Sequence, residues 1–180
     1  MRYRGDLRER HVDLCVSRTN ISLPLPAWTL NDLAMRLLAL PWLDPYLVRC
    51  RPAVMDGLSR LRSMGWRVAI ITNGTADNQL GKIKQTGLAE AVDAYVLSGI
   101  EGVRKPEAAL FEIAAERCNR TLAQGGWMIG DNLTADIAGG RAVGLRTAWI
   151  DRGTWPDHEH NADHVVADVF QAMEILEAEG

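Results

Sequence analysis

"MIGDNLTAD", residues 128–136, decides the fold. An apolar pair, Met128 and Ile129, runs through a glycine into Asp131, and Asp136 follows five positions later. With Trp127 ahead of it the stretch reads as a strand buried on both faces that feeds directly into a helix. One aspartate at such a junction is explained by a helix cap or by the helix macrodipole. Two are explained less well. Together with a threonine and a lysine upstream, they point to a cation and a phosphate.

The same unit recurs on both sides of that stretch. "WRVAII" (66–71) is a strand ending at Thr72, "AYVLS" (94–98) a second, "GWMIG" (126–130) the third and "LRTAWI" (145–150) a fourth. Between them lie helical patterns: "PAVMDGLSRLRSMG", "DNQLGKIKQTG", "PEAALFEIAAERC" and "TADIAGGRAVG", with "DVFQAMEILEAE" closing the chain. Pro52 suits a first helical turn, and Gly65 and Gly87 suit C-terminal stops. Strands alternating with helices imply an α/β fold with a doubly wound parallel sheet over residues 52–180. Residues 1–51 break the rhythm. Prolines 24, 26, 41 and 45 cut them into short pieces, and "NDLAMRLLAL" is helical, so this segment reads as a short helical, cap-like appendage.

Composition limits the possible functions. A chain of 180 residues, 47% hydrophobic with net charge −3, is one ordinary domain with no nucleic-acid footprint. Cys15, Cys50 and Cys118 are odd in number and widely spaced, which fits neither a disulfide framework nor a zinc site and suits a reducing cytoplasm. The opening "MRYRGDLRERH" lacks the apolar core of a signal peptide, and no apolar run approaches the ~20 residues of a membrane span.

In an open parallel sheet, ligands bind beyond the carboxyl ends of the strands. Thr72, Asn73 and Gly74 leave the first strand with a hydroxyl and backbone N–H groups that suit phosphate oxygens, although a helix cap and turn would read alike. Lys105 stands before Pro106, where an ammonium would neutralise phosphate and hold carboxylates ionised, although a solvated lysine is the commoner fate. Asp131 and Asp136 offer hard oxygen ligands of the kind Mg²⁺ takes. The remaining features weigh toward plain structure. His158 and His160 in "DHEHNADH" read as a polar loop before a metal site, and Trp28 and Trp42 as the core of the appendage before a substrate pocket.

Threonine, then Lys-Pro, then GD-x₄-D, each after a strand and in that order, resembles the haloacid dehalogenase-like hydrolases over about residues 52 to 155. "VAIITNG" is similar to that family's second motif, "EGVRKPEAALFEIAAERC" to its third and "MIGDNLTADIAGGRAVGLRTAWIDRG" to its fourth. Receiver domains share the residue types in a different order. The resemblance implies a Mg²⁺-dependent phosphohydrolase acting on a small phosphorylated metabolite. An aspartate would attack phosphorus, and a second aspartate two residues later would act as acid and base. Thr72 and the Asn73 N–H would bind the phosphoryl group, Lys105 would offset charge, and Asp131 would hold Mg²⁺ with Asp136 in support.

The family's first motif, an apolar strand running into D-x-D-x-T, is missing. The nearest string is "HVDLCVS", with Asp13 as first acid, Cys15 in the acid/base position and Ser17 for the threonine. Its lead-in "RERHV" is too polar for a central strand, so Asp13 reads instead as part of a solvated helical stretch. That leaves a gap in the sheet about two strand spacings wide, roughly 9–10 Å. Residues 1–51 fill it, the sheet closes up, or a complementing chain, such as a second copy, supplies a strand; alternatively the reading frame begins downstream of the true start. Three expectations follow: weakly bound Mg²⁺, slow phosphatase turnover and, as the alternative, a non-catalytic binding or assembly module.

Overall fold

The computed structural model describes residues 50–153, 155 and 159–179, and the backbone of 10–14. The first element, β1 (Arg10–Leu14), is followed by α1 (Pro52–Ser63), β2 (Trp66–Thr72), α2 (Ala76–Gln85) and α3 (Leu88–Ala91). Next come β3 (Ala94–Leu97), α4 (Ser98–Glu101), α5 (Ala108–Arg117), a 3₁₀ turn at Leu122–Gln124 and β4 (Trp127–Gly130). A π-helical turn (Leu133–Ala138) leads through α6 (Gly139–Ala142) to β5 (Arg146–Ile150), β6 (His164–Val166) and α7 (Val169–Ala178).

The strands form one sheet in the order β3-β2-β1-β4-β5-β6, with every pairing parallel. This is the doubly wound order, in which the crevice lies where the winding reverses, here between β1 and β4. Alternate residues of β2 serve opposite cores. Trp66, Val68 and Ile70 pack with Leu58 and Leu61 of α1 and Met173 and Leu176 of α7. Ala69 and Ile71 pack with Leu110, Phe111 and Ala114 of α5. Burial on both faces is why these strands carry near-continuous apolar runs.

The structure corrects the reading of residues 10–14. They are not helical: β1 fills the central slot, pairing Val12 with Val68 and Asp13 with both Ala69 and Met128. The physical reason is the demand of its neighbours. The facing edges of β2 and β4 carry N–H and C=O groups that a buried sheet cannot leave unpaired, and that demand overrides the polarity of "RH". The first of the three ways to close the gap is realised, which removes that particular reason for a complementing chain. The rest of residues 1–49, with Cys15, Ser17, Trp28 and Trp42, and His158, lie outside the described residues.

Smaller corrections are local. The fourth helix divides into the π-helical turn and α6, and the third begins at Ala108 rather than at Pro106. Residues 164–166 form an edge strand in a stretch read as loop. Its burial is uneven, with Val165 half exposed, so it carries no continuous apolar signature. His160 packs against Trp149 with tilted rings, centroids 4.8 Å apart, and shows no metal-ligating partner group among the described residues.

Candidate active site

Lys105 lies between α4 and α5 in a segment without regular structure, yet it is held at both ends by β2 and the turn after it. Asn73 clasps its peptide unit: Asn73 Oδ1 accepts from Lys105 N at 2.9 Å, and Asn73 Nδ2 donates to Lys105 O at 3.0 Å. The ammonium donates to Ile71 O at 2.9 Å and to Asp136 Oδ1 at 2.6 Å. The peptide between Lys105 and Pro106 is cis. The Lys105 and Asp136 side chains are only 2% and 1% exposed. A buried charge pair of this kind is tolerated only when further hydrogen bonds occupy the remaining lone pairs and protons.

Those bonds come from the π-helical turn. Asn132 caps it, its Oδ1 accepting from Thr134 N and Ala135 N. Asn132 O accepts from both Asp136 N at 2.9 Å and Ile137 N at 3.2 Å, which widens the turn. Asp136 is thereby folded back over β4, and its Oδ2 accepts from Asn132 N at 3.0 Å. A side chain on Gly130 would overlap the Asp136 carboxylate, so the glycine is what lets the acid reach Lys105.

The Ile71–Lys105–Asp136–Asn132 chain of contacts runs from the end of β2 to the residue just beyond Asp131. Because β2 and β4 flank β1, the ion pair bridges across β1 at the carboxyl edge of the sheet. Thr72, buried at the end of β2, borders one side of this bridge and Asp131 the other. The sequence-derived residues Thr72, Asn73, Lys105, Asp131 and Asp136 thus meet at one edge.

Asp131 is held differently. Trp149 Nε1 donates to its main-chain oxygen at 3.3 Å, and Arg152 Nε lies 3.0 Å from its Oδ2. Its side chain remains 15% exposed. Of the two acids, Asp131 therefore offers the donor set that suits Mg²⁺: a hard carboxylate with access to water. Asp136 has one oxygen on Lys105 and the other on Asn132 N, so it faces inward. No group of three potential ligands occurs among the described residues, which is compatible with Mg²⁺ because that ion commonly takes one or two carboxylates and keeps several waters.

Arg152 and Gly130 went unassigned in the sequence, although both lie inside the stretch that resembles the fourth motif. A cation directly after a buried strand was the available signal for Arg152. Asp13 pairs in register with Ala69 on one side and Met128 on the other.

Known proteins share these features. A family model described as haloacid dehalogenase-like hydrolase matches residues 42–144. The glyceraldehyde 3-phosphate phosphatase of Pyrococcus furiosus is 32% identical over 132 residues, 71% of this chain and 55% of that protein. The phosphoserine phosphatase of Thermus thermophilus is 37% identical over 118 residues, 64% and 47% of the two chains. The HAD-hydrolase YfnB of Bacillus subtilis, in a crystal structure bound to magnesium, superposes with TM-score 0.62 at 28% identity, covering 70% of this chain and 55% of that one. The chain spans about half the length of the curated relatives it matches. With more than half its residues under the family model and the buried lysine–aspartate bridge in place, the chain belongs to the haloacid dehalogenase-like hydrolases.

Proposed function

We propose that this chain carries the phosphate-handling half of a Mg²⁺-assisted phosphohydrolase for a small phosphorylated metabolite. The observation that carries the proposal is the buried Lys105–Asp136 pair bridging β1, with Thr72 and Asp131 on its two sides. Relatives named as phosphatases of glyceraldehyde 3-phosphate and phosphoserine support the substrate class. The Thr72 hydroxyl donates to a phosphoryl oxygen, with the Asn73 N–H beside it. Lys105 supplies positive charge at the crevice, and Asp136 fixes its ammonium there. Such preorganised charge is usually the protein's main contribution to phosphoryl transfer. Asp131 would hold Mg²⁺, which when bound supplies Lewis-acid charge at the phosphoryl oxygens. The cytoplasmic setting belongs to the same proposal, as does a reducing compartment around the Cys50 and Cys118 thiols.

The departure of residues 11–17 from D-x-D-x-T motivates a second reading for the chain as it stands. Attack on phosphorus needs a carboxylate within about 3–3.5 Å of it. The nearest string to the first motif, "HVDLCVS", has Cys15 in the acid/base position and Ser17 for the threonine, so the chain is expected to bind phosphate better than it turns it over. The experiment is hydrolysis of para-nitrophenyl phosphate with Mg²⁺ by the 180-residue chain, Asp13→Asn and Asp131→Asn. The expected result is slow turnover, unaffected by Asp13→Asn and reduced by Asp131→Asn. Fast turnover abolished by Asp13→Asn would overturn the impaired reading and make "DLCVS" a working first motif.

A further inference from the structure

Arg152 sits where a cation is expected. It follows β5 in a tight turn closed by Gly153 N donating to Asp151 Oδ1 at 2.8 Å, so its backbone is fixed. Its Nε lies 3.0 Å from Asp131 Oδ2, and the Trp149 indole holds the Asp131 main chain at the same place. Among the described residues around the bridge, the two acids Asp131 and Asp136 already face two cations, Arg152 and Lys105. Lys105 is buried and committed to Asp136, whereas the Arg152 side chain is 28% exposed and has room to leave.

We infer that Arg152 competes with the divalent cation for Asp131, acting as a built-in counter-ion that weakens metal affinity. The inference rests on the reading of Asp131 as the Mg²⁺ ligand. A guanidinium on one oxygen of a carboxylate repels a dication brought to that carboxylate, and the partly buried surroundings screen the repulsion poorly. A purely orienting partner would behave in the opposite way. Removing a group that only aims a ligand at the metal weakens metal binding. The sign of the change on removing Arg152 therefore separates competition from orientation.

The test is calorimetric titration of MgCl₂ into the full chain and into Arg152→Gln, Arg152→Lys and Asp131→Asn, at low ionic strength, with circular dichroism confirming that each is folded. Competition predicts that Arg152→Gln binds Mg²⁺ about two- to fivefold more tightly, in line with charge interactions near a protein surface. Arg152→Lys, which keeps the charge, stays near wild type, and Asp131→Asn loses the binding. Binding that needs Asp131 but is unchanged or weaker in Arg152→Gln overturns the inference alone, as does the absence of heat from both wild type and Arg152→Gln. Binding indifferent to Asp131→Asn overturns the reading of Asp131 beneath it.

Discussion

Two ion pairs, whose aspartates are five residues apart in the chain, are built on opposite plans. Lys105–Asp136 is 2.6 Å long, with both side chains at most 2% exposed and every partner supplied by the fold. Asp131–Arg152 is 3.0 Å long, with side chains 15% and 28% exposed. Water reaches both side chains of the second pair and scarcely touches those of the first. The difference teaches which charges are part of the architecture and which are available for exchange. Breaking a buried pair strands an uncompensated charge at a cost of about 3–5 kcal/mol. Breaking a partly exposed one typically costs about 0–1 kcal/mol.

The largest effect should come from breaking the buried pair on one side only. Lys105→Met leaves the Asp136 carboxylate without its cation and should lower unfolding free energy by about 3–5 kcal/mol, measured by urea denaturation. Lys105→Met combined with Asp136→Leu removes both charges and should recover much of that loss. If the double variant is no more stable than the single, the pair is not the reason for the sensitivity of this site.

Gly130→Ala tests the same pair without touching a charge. The new methyl overlaps the Asp136 carboxylate, which must shift away from Lys105. Forced displacement in a packed site costs about 1–3 kcal/mol. Thermal unfolding within experimental error of wild type would mean that the π-helical turn gives way freely.

Asp163 supplies an intermediate case whose charge can be titrated. Burial pushes its carboxyl up, but hydrogen bonds from Thr147 N and Oγ1, with Arg141 and Arg146 nearby, outweigh this and hold it below the ordinary aspartate value. A lowered pKa means that the unfolded chain binds the proton first, so the stabilisation is present above the ordinary value of about 3.9 and lost as pH falls through the folded one. Asp163→Asn should be less stable than wild type at pH 6, with the gap closing as pH falls below about 4. A pH-independent gap would assign the effect to packing.

The smallest stability effect is expected at the exchangeable pair. Asp131→Asn should change unfolding free energy by no more than about 1 kcal/mol, and less at high salt. A loss as large as that of Lys105→Met would erase the contrast between the two pairs.

The sheet was legible where each strand is apolar on both faces and ends in a polar residue, as in "WRVAII" and "GWMIG", because double burial leaves an unbroken apolar run. β1 was not, because it is selected by the unpaired edges of β2 and β4 and not by its own composition. That five residues would gather at one edge of the sheet was legible from motif order; how the fold holds the two acids was not. GD-x₄-D announces two acids without saying that Asp136 turns inward to Lys105 while Asp131 stays accessible. That division depends on the π-helical turn and on the missing side chain at Gly130, and neither has a periodic signature.

The place of β1 also bears on how the chain matures during synthesis. Residues 10–14 leave the ribosome before either neighbour, and β4 ends more than a hundred residues later, at Gly130. At about 5–20 residues per second, that is a wait on the order of ten seconds. A conventional central strand, apolar throughout, would spend that interval as an exposed aggregation-prone segment. "RHVDL" carries an arginine, a histidine and an aspartate among its five residues and can remain hydrated until both partners exist. The polarity that disguised this strand in the sequence suits a segment translated well before the second of its two neighbours.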